Sequence, residues 1–190
     1  MRIIAGKSRG VQLKSPRGNS TRPTADRVKE SLFNILQSEI ADKSILDLFA
    51  GTGALGLESL SRGAESATFV DNRTADLIRE NAVKTKFLEQ TKIFNLDAFS
   101  AIDYFRRKKI CFDLIFCDPP YAKNIFSRIL QTIDQSNIFT RVWYRIRKRS
   151  AESRKYLADS RNFIWTYNRH FDIRKKICML KIFFRGCCRR

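Results

Sequence analysis

The clearest chemistry in this sequence lies in the tetrapeptide Asp118-Pro119-Pro120-Tyr121, which follows an apolar run, where a buried strand would end. A simple turn would explain one proline but not the whole group. Two consecutive prolines remove two N–H donors and stiffen the backbone, so their carbonyl groups point in fixed directions. A carboxylate and a rigid carbonyl can accept both protons of an exocyclic –NH2 group, while the aromatic ring stacks beside it. We therefore predict that these four residues are catalytic and act on a planar amine.

A glycine-rich segment follows an earlier apolar run. Its residues Gly51, Gly53 and Gly56 match G-x-G-x-x-G between a predicted strand and a predicted helix, which lets the backbone approach a ligand closely. Dinucleotide cofactors use the same spacing, with an acid about 20 residues further on for the ribose. Asp71, at the end of the next apolar run, meets that condition. These residues predict a nucleotide-like cofactor, but they do not distinguish one such cofactor from another.

Two further acids favour S-adenosylmethionine. Asp47 precedes the glycines, and a buried carboxylate needs a partner, which the ammonium group of this cofactor would supply. A pyrophosphate would be repelled. The alternative is that Asp47 caps a loop or pairs with Arg22 or Lys29. The third apolar run ends in Asp97-Ala98, where the acid can accept a hydrogen bond from an adenine amino group. A methyl donor beside a held amine indicates methyl transfer, which needs in-line positioning and no metal.

The elements that would position these residues alternate between strand and helix. This pattern predicts an α/β fold with a Rossmann-like parallel sheet covered on both faces. Ligands bind such sheets beyond the carboxyl ends of the strands, where the strand order reverses. An N-terminal β-hairpin is predicted for residues 1–13. The predicted strands are 45–49, 67–70, 93–96 and 112–117, and the predicted helices are 25–38, 54–62, 74–88 and 98–106.

The composition limits the class of protein. The net charge of +18 points to a polyanionic partner. Residues 1–140 carry 21 Lys and Arg against 16 Asp and Glu, and residues 141–190 carry 16 against 3. The five cysteines lack metal-ligand spacing and His170 is the only histidine, so we expect neither a metal site nor a Ser-His-Asp site. With no apolar run near the roughly 18 residues of a membrane span and no signal peptide expected, the predicted compartment is the cytoplasm.

The segment Arg22–Asn34, together with the opening Arg2–Gly10, resembles the RsmD family of class I methyltransferases. That family methylates the N2 amine of a guanine in bacterial 16S ribosomal RNA. The resemblance covers about residues 1–137. It implies S-adenosylmethionine as the cofactor, and 16S rRNA or the assembling 30S subunit as the partner of a monomer.

The resemblance also implies roles for individual residues. Asp118, Pro119 and Tyr121 would hold the guanine. A basic N-terminal surface would hold RNA, although hairpin edges often carry solvated cations. The cofactor-binding residues would be Thr24 for the methionine end, Asp47, Gly51 and Gly53 for the floor, Asp71 for the ribose, and Asp97 with Ala98 for the adenine. The RNA-binding residues would be Lys7, Arg9, Lys14 and Arg22.

We divide the chain into a basic hairpin and linker at 1–24, a cofactor-binding domain at 25–137 and an Arg-rich tail at 138–190. The family pattern should continue with a strand that has a glycine, an aliphatic run and an acid, and then with two more strands. Residues 141–149 show no matching strand, so the C-terminal strands are expected to be disrupted. The tail could be an RNA-binding extension, an unusual sheet edge, or a segment translated out of frame after residues 137–141. We favour the third hypothesis because the composition changes where the pattern stops.

Three other functions stay open. The first is an amino-methyltransferase that acts on adenine or glutamine, because the tetrapeptide suits any planar –NH2 group. The second is a catalytically impaired RNA-binding remnant. The third is a nicotinamide oxidoreductase, which leaves Asp118 to Tyr121 without a role.

Overall fold

The structure is a computed structural model and describes residues 1–16, 26–119, 125–136, 138–139 and 142–144. Its described strands form one parallel sheet with the spatial order β3-β2-β1-β4-β5. Because β2 and β4 lie on opposite sides of β1, the strand order reverses beside β1. The strands are β1 (Ser44–Leu48), β2 (Ser66–Val70), β3 (Thr91–Phe94), β4 (Leu114–Cys117) and β5 (Val142–Tyr144).

Helices cover both faces of this sheet. Alternate strand residues point to opposite faces, so Ile45 joins the core beneath α1, α2 and α3, whereas Leu46 joins the core beneath α4 and α5. The helices are α1 (Asp26–Ile35), α2 (Ala54–Ser61), α3 (Ala75–Lys84), α4 (Ala98–Arg107) and α5 (Ile125–Ser136), with short 3₁₀ turns at Gln37–Glu39 and Leu88–Gln90. The two-sided arrangement confirms the predicted α/β fold class.

The four predicted strands are all present, displaced by one or two residues from their expected bounds. Two helices end three or four residues earlier than predicted, and the helix predicted for 54–62 ends one residue earlier, at Ser61. The helix predicted for 25–38 ends at Ile35 and gives way to a 3₁₀ turn. The helix predicted for 74–88 ends at Lys84, because Lys86 adopts a φ of +64° that cannot continue a right-handed helix.

A fifth strand follows α5, in a segment where the sequence shows no strand of the expected family pattern and where an unusual sheet edge is one of the three interpretations. Val142–Tyr144 pairs in parallel with β4, with Ile115 opposite Val142 and Cys117 opposite Tyr144. The segment Val-Trp-Tyr is β-branched and aromatic, so it suits an extended conformation although it lacks the expected glycine–aliphatic–acid pattern. The free side of β4 supplies the hydrogen-bonding partner. The predicted disruption of later strands concerns residues 145–190, which lie outside the described residues.

The predicted N-terminal hairpin is confirmed as an antiparallel pairing. Ile3 N–H donates to the Val11 carbonyl at 3.0 Å, and Leu13 N–H donates to the Met1 carbonyl at 2.9 Å. The side chains of Ile3 and Leu13 are buried in the same core as α2 and α3. The hairpin is therefore packed onto the sheet domain.

A buried carboxylate fixes the hairpin to α1 and α2. Glu58 accepts hydrogen bonds from Ile4 N–H at 2.8 Å and Ala5 N–H at 3.0 Å. It also lies 3.0 Å from Lys29 Nζ and 2.8 Å from Arg62 Nε. Burial alone would raise the pKa of Glu58, but the Ile4 N–H and the two cations lower it, whereas burial lowers the pKa of Lys29. This network satisfies a charge that would otherwise be costly in the core.

No helix in the part of the chain that the structure describes is long and apolar enough to cross a membrane.

Candidate active site

The loop between β1 and α2 turns sharply at the carboxyl end of β1. Phe49, Gly51 and Gly53 have φ values of +61°, +57° and +75°, a conformation that favours glycine. A Cβ built on Gly51 would meet no atom of the described residues within 4 Å, so none of them fills the space beside this part of the loop. A Cβ on Gly56 would lie 2.3 Å from the Phe69 ring. Gly51 thus permits approach of a ligand, whereas Gly56 permits close packing of α2 on the sheet.

Asp47 is buried at the base of this loop. Its Oδ2 accepts a hydrogen bond from Gly56 N–H in the first turn of α2 at 3.0 Å, and no other donor to it is found among the described residues. Burial raises the pKa of Asp47 to about 8, and the charges of Asp118 and Asp71 add to the effect. The alternative pairing with Lys29 is wrong, because Lys29 pairs with Glu58. Asp47 therefore keeps capacity for a cationic partner.

Asp71 ties the glycine loop to the start of α3. Its Oδ2 accepts from Gly51 N–H at 2.9 Å, and its Oδ1 accepts from Arg73 N–H at 2.9 Å and Thr74 N–H at 3.1 Å. The Thr74 hydroxyl oxygen is buried without a partner in the part of the chain that the structure describes. The predicted cofactor residues Gly51 and Asp71 are thus in direct contact.

Asp97 begins α4 and acts as its N-cap. Its carboxylate accepts from the N–H groups of Phe99 at 3.0 Å and Ser100 at 3.1 Å, which are donors that the helix leaves unpaired. The Ser100 hydroxyl and these N–H groups lower the pKa of Asp97. Ala98 is buried immediately after it. The sequence had suggested an adenine contact at Asp97 but not this capping role.

Asp118 and Pro119 follow β4, next to the end of the neighbouring strand β1. In the β1–β4 register Leu48 pairs with Cys117, so Asp118 lies one residue beyond the pair and beside the start of the glycine loop. Burial raises the pKa of the Cys117 thiol, and the nearby charges of Asp118 and Asp47 raise it further. The sheet therefore gathers the acids of three strand ends around the point where the strand order reverses.

Four predicted site residues lie outside the described residues. They are Thr24, Arg22, Pro120 and Tyr121.

The three described basic residues of the hairpin do not all lie near these acids. Lys14 lies near the glycine loop, and its Nζ pairs with Glu80 at 2.8 Å. The turn with Lys7 and Arg9 lies at the other end of α2, where Lys7 N–H donates to the Ser61 carbonyl at 2.8 Å. The hairpin therefore runs along α2 from the carboxyl edge of the sheet to its amino edge.

Sequence reasoning missed Asn81, which links the hairpin to the glycine loop. Its Oδ1 accepts from Lys14 N–H at 2.7 Å, and its Nδ2 donates to the carbonyls of Lys14 at 3.1 Å and Thr52 at 2.9 Å. Asn81 is fully buried. A signal was present, because Asn81 falls on the same helical stripe as the buried Ile78 and Ala82, where an apolar residue would be expected.

The arrangement fits S-adenosylmethionine on three grounds taken from the structure itself. Among the described residues, none fills the space beside Gly51, the buried Asp47 carboxylate has a single N–H donor, and the Thr74 hydroxyl beside Asp71 lacks a partner. A cationic amine and ribose hydroxyls are the groups that such positions can bind. No group of three or more metal-ligating side chains is found within the described ranges.

Solved structures share this architecture. A protein of Thermus thermophilus superposes with a TM-score of 0.65 at 30% identity, covering 74% of this chain and 81% of its own. The yhhF protein of Escherichia coli superposes with a TM-score of 0.63 at 34% identity, covering 73% and 74%. The parallel sheet with its glycine loop is that of a Rossmann-like class I methyltransferase.

Sequence relatives narrow the class to a family. The family model described as Conserved hypothetical protein 95 matches residues 1–164, beyond the limit of about 137 set by the motifs. The ribosomal RNA small subunit methyltransferase D of Haemophilus influenzae is 37% identical over 142 residues, which is 72% of this chain and 72% of its own. Its Escherichia coli K12 counterpart is 36% identical over 138 residues, which is 72% and 68%. The chain belongs to the RsmD family of ribosomal RNA methyltransferases.

Proposed function

We propose that this protein transfers a methyl group from S-adenosylmethionine to the N2 amine of a guanine in 16S rRNA. The observation that carries the proposal is the position of Asp118-Pro119 at the end of β4, beside the glycine loop and the underpaired Asp47. Relatives named as small subunit rRNA methyltransferases support the nucleic-acid substrate. Membership of the RsmD family supports the choice of the guanine amine.

The cofactor would be held by the loops after the first three strands. Asp47 would pair with the ammonium group, Asp71 would accept hydrogen bonds from the ribose hydroxyls, and Asp97 with Ala98 would lie at the adenine. Gly51 and Gly53 would form the floor. When bound, this cofactor supplies an electrophilic methyl group on a sulfonium. Thr24 is proposed for the methionine end on the strength of the family motif alone.

The amine would be held by the residues after β4. The exocyclic nitrogen is a weak nucleophile because its lone pair is delocalised into the base. The Asp118 carboxylate and a proline carbonyl would accept hydrogen bonds from its two protons, which favours a localised lone pair, and Tyr121 would stack on the base. The rest of the rate would come from holding nitrogen and methyl carbon in line. The N2 group is blocked in stacked RNA, so the target would be a loop base or an extruded one.

The direct test is methyl transfer with labelled cofactor. Small ribosomal subunits from a strain that lacks the modification are incubated with protein and labelled S-adenosylmethionine, the rRNA is digested to nucleosides, and the ribosomal proteins are hydrolysed separately. Label in N2-methylguanosine supports the proposal. Label in an adenine or a protein glutamine would replace it with the alternative amino-methyltransferase. RNA binding without transfer would indicate an impaired remnant.

Two variants test the role of Asp118. Asp118→Ala should lower the turnover by at least about 100-fold, because it removes an acceptor aimed at the reacting amine. Asp103→Asn is the matched control, since Asp103 is a half-exposed acid on α4 that pairs with Arg106 and Arg107. Full activity of Asp118→Ala would remove this residue from the mechanism.

We retain the division into residues 1–24, 25–137 and 138–190 as a proposal, together with the frame-change hypothesis for the tail. A change of reading frame at 137–141 must be consistent with two findings. Val142–Tyr144 pairs with β4, and the family match extends to residue 164. Resequencing the gene tests it. The hypothesis requires that a neighbouring frame encode a glycine–aliphatic–acid strand.

A further inference from the structure

The turn of the hairpin is fastened to the end of α3 by one hydrogen bond. The Ser8 hydroxyl donates to the Thr85 carbonyl at 2.7 Å, across 77 residues of sequence. Each residue of this pair is flanked by cations, Lys7 and Arg9 on one side and Lys84 and Lys86 on the other. We call these four cations the basic tip cluster.

The cluster is rigidly supported. Ser8 N–H donates to the Ser61 hydroxyl at 3.0 Å, and that hydroxyl donates to the Ala5 carbonyl at 2.6 Å. A Cβ on Gly6 would lie 1.7 Å from the Ser61 carbonyl oxygen, so only glycine allows the turn to approach α2 this closely. The backbone that carries Lys7 and Arg9 is thus held against the ends of α2 and α3.

The charges of the cluster have no ion-pair partner among the described residues. All four side chains belong to exposed residues, and none of them takes part in an ion pair among the described residues. By contrast, the hairpin cation Lys14 pairs with Glu80. Four cations on two neighbouring segments, without a counter-charge among the described residues, repel one another, and a nearby polyanion would offset that repulsion.

The cluster also lies far from the candidate active site. It sits at the carboxyl ends of α2 and α3, whereas Asp118 and the glycine loop lie where α2 begins. The eight residues of α2 span about 12 Å at about 1.5 Å per residue. That length corresponds to roughly four stacked nucleotides.

We propose that the basic tip cluster binds RNA phosphates several nucleotides away from the target base. This inference rests on the proposed rRNA substrate and adds Lys84 and Lys86, which no motif had marked, to its contacts. The occupant is the RNA backbone because the cluster offers charge on a rigid base, which suits phosphate contacts that position rather than specify. RNA would then follow the hairpin from one edge of the sheet to the other.

The test is a charge-removing double variant, Lys84→Gln with Lys86→Gln. Its affinity for a long rRNA fragment should fall roughly 10-fold at 0.1 M salt. The slope of log affinity against log salt concentration should become shallower by about 1.4, as expected for two lost phosphate contacts. The turnover at saturating RNA and the affinity for S-adenosylmethionine should stay unchanged. Lys108→Gln with Lys109→Gln, which alters two exposed cations on the α4 face of the sheet, is the matched control and should bind RNA like the wild type.

Shortening the RNA makes the test specific. On a fragment limited to the target loop, the wild type and the Lys84/Lys86 variant should bind equally. Equal losses of RNA affinity in both double variants would overturn the inference. A loss confined to assembled subunits, with normal binding to naked RNA, would overturn it in favour of a protein partner. Wild-type binding by the Lys84/Lys86 variant would overturn it too. A wild type that neither binds nor methylates rRNA would instead remove the proposed function itself.

Discussion

Two buried carboxylates on the same side of the sheet differ in what surrounds them. Glu58, under the hairpin, is met by two backbone N–H groups and two cations, and the pKa of its carboxyl is lowered. Asp47, under the glycine loop, has one N–H donor among the described residues, and its pKa is raised to about 8. Among the described residues, the fold completes the first site and supplies no cation to the second. Burial of an acid is therefore structural in one region and points to a ligand in the other.

The largest expected effect comes from Glu58→Gln. This change keeps the shape of the side chain but leaves the buried Lys29 without its counter-charge. We expect the free energy of unfolding to fall by about 3–5 kcal/mol, measured by urea denaturation. Glu80→Gln, which breaks the exposed pair with Lys14, should cost at most about 1 kcal/mol. Similar losses in both variants would contradict the distinction.

The second prediction concerns Asp47→Asn and pH. Asp47 in the folded apoprotein has a pKa of about 8, far above its ordinary value of 3.8, so the native state holds a proton that the unfolded state releases. The stability of the wild type should therefore fall as the pH rises from about 4 to about 8, by a few kcal/mol relative to Asp47→Asn. Thermal unfolding of both proteins across this range measures the difference.

Asp47 also provides a functional test of the difference between the two buried carboxylates. If Asp47 pairs with the cofactor ammonium, binding of S-adenosylmethionine at pH 7 should release a proton, and the affinity should rise between pH 6 and pH 8. Asp47→Asn should bind more weakly and without this dependence. Calorimetry in buffers of different ionisation enthalpy detects the proton. Equal affinity of the two proteins would leave Asp47 a structural acid like Glu58.

Asn81 joins the two regions, so Asn81→Ala should affect both. It removes three hydrogen bonds to the backbone of Lys14 and Thr52, and we expect a loss of about 1–3 kcal/mol in stability. The glycine loop loses its support at Thr52, so the cofactor affinity should also fall. Ser61→Ala is the control, because it releases the hairpin turn without contacting the loop. A fall in stability with unchanged cofactor affinity would confine Asn81 to docking the hairpin.

The smallest effect is expected at Asp97. Asp97→Ala removes the N-cap of α4 and should lower stability by about 1 kcal/mol. Asp97→Asn retains an acceptor for the same N–H groups and should be nearly neutral. Thermal unfolding distinguishes these outcomes, and equal losses in the two variants would show that charge rather than capping matters here.

Much of the candidate site was predictable because its signals are local. Gly51, Gly53 and Asp71 lie at strand ends that the apolar runs reveal, and a parallel sheet brings its carboxyl ends to one edge. The strand at Val142–Tyr144 was missed because the expected pattern was too narrow for an edge strand that pairs on one side. Its β-branched and aromatic residues were the available signal.

The sequence by itself determined the alternation of strands and helices, the glycine loop and the acids that follow each strand, because these depend on neighbouring residues. Only the tertiary structure decided which acid is satisfied and which is not. Glu58 meets Ile4 across 54 residues, and Ser8 meets Thr85 across 77, and no periodicity encodes such contacts. Burial, donor count and the position of the basic tip cluster are properties of packed surfaces, so they emerge only once the hairpin, α2 and α3 are in place.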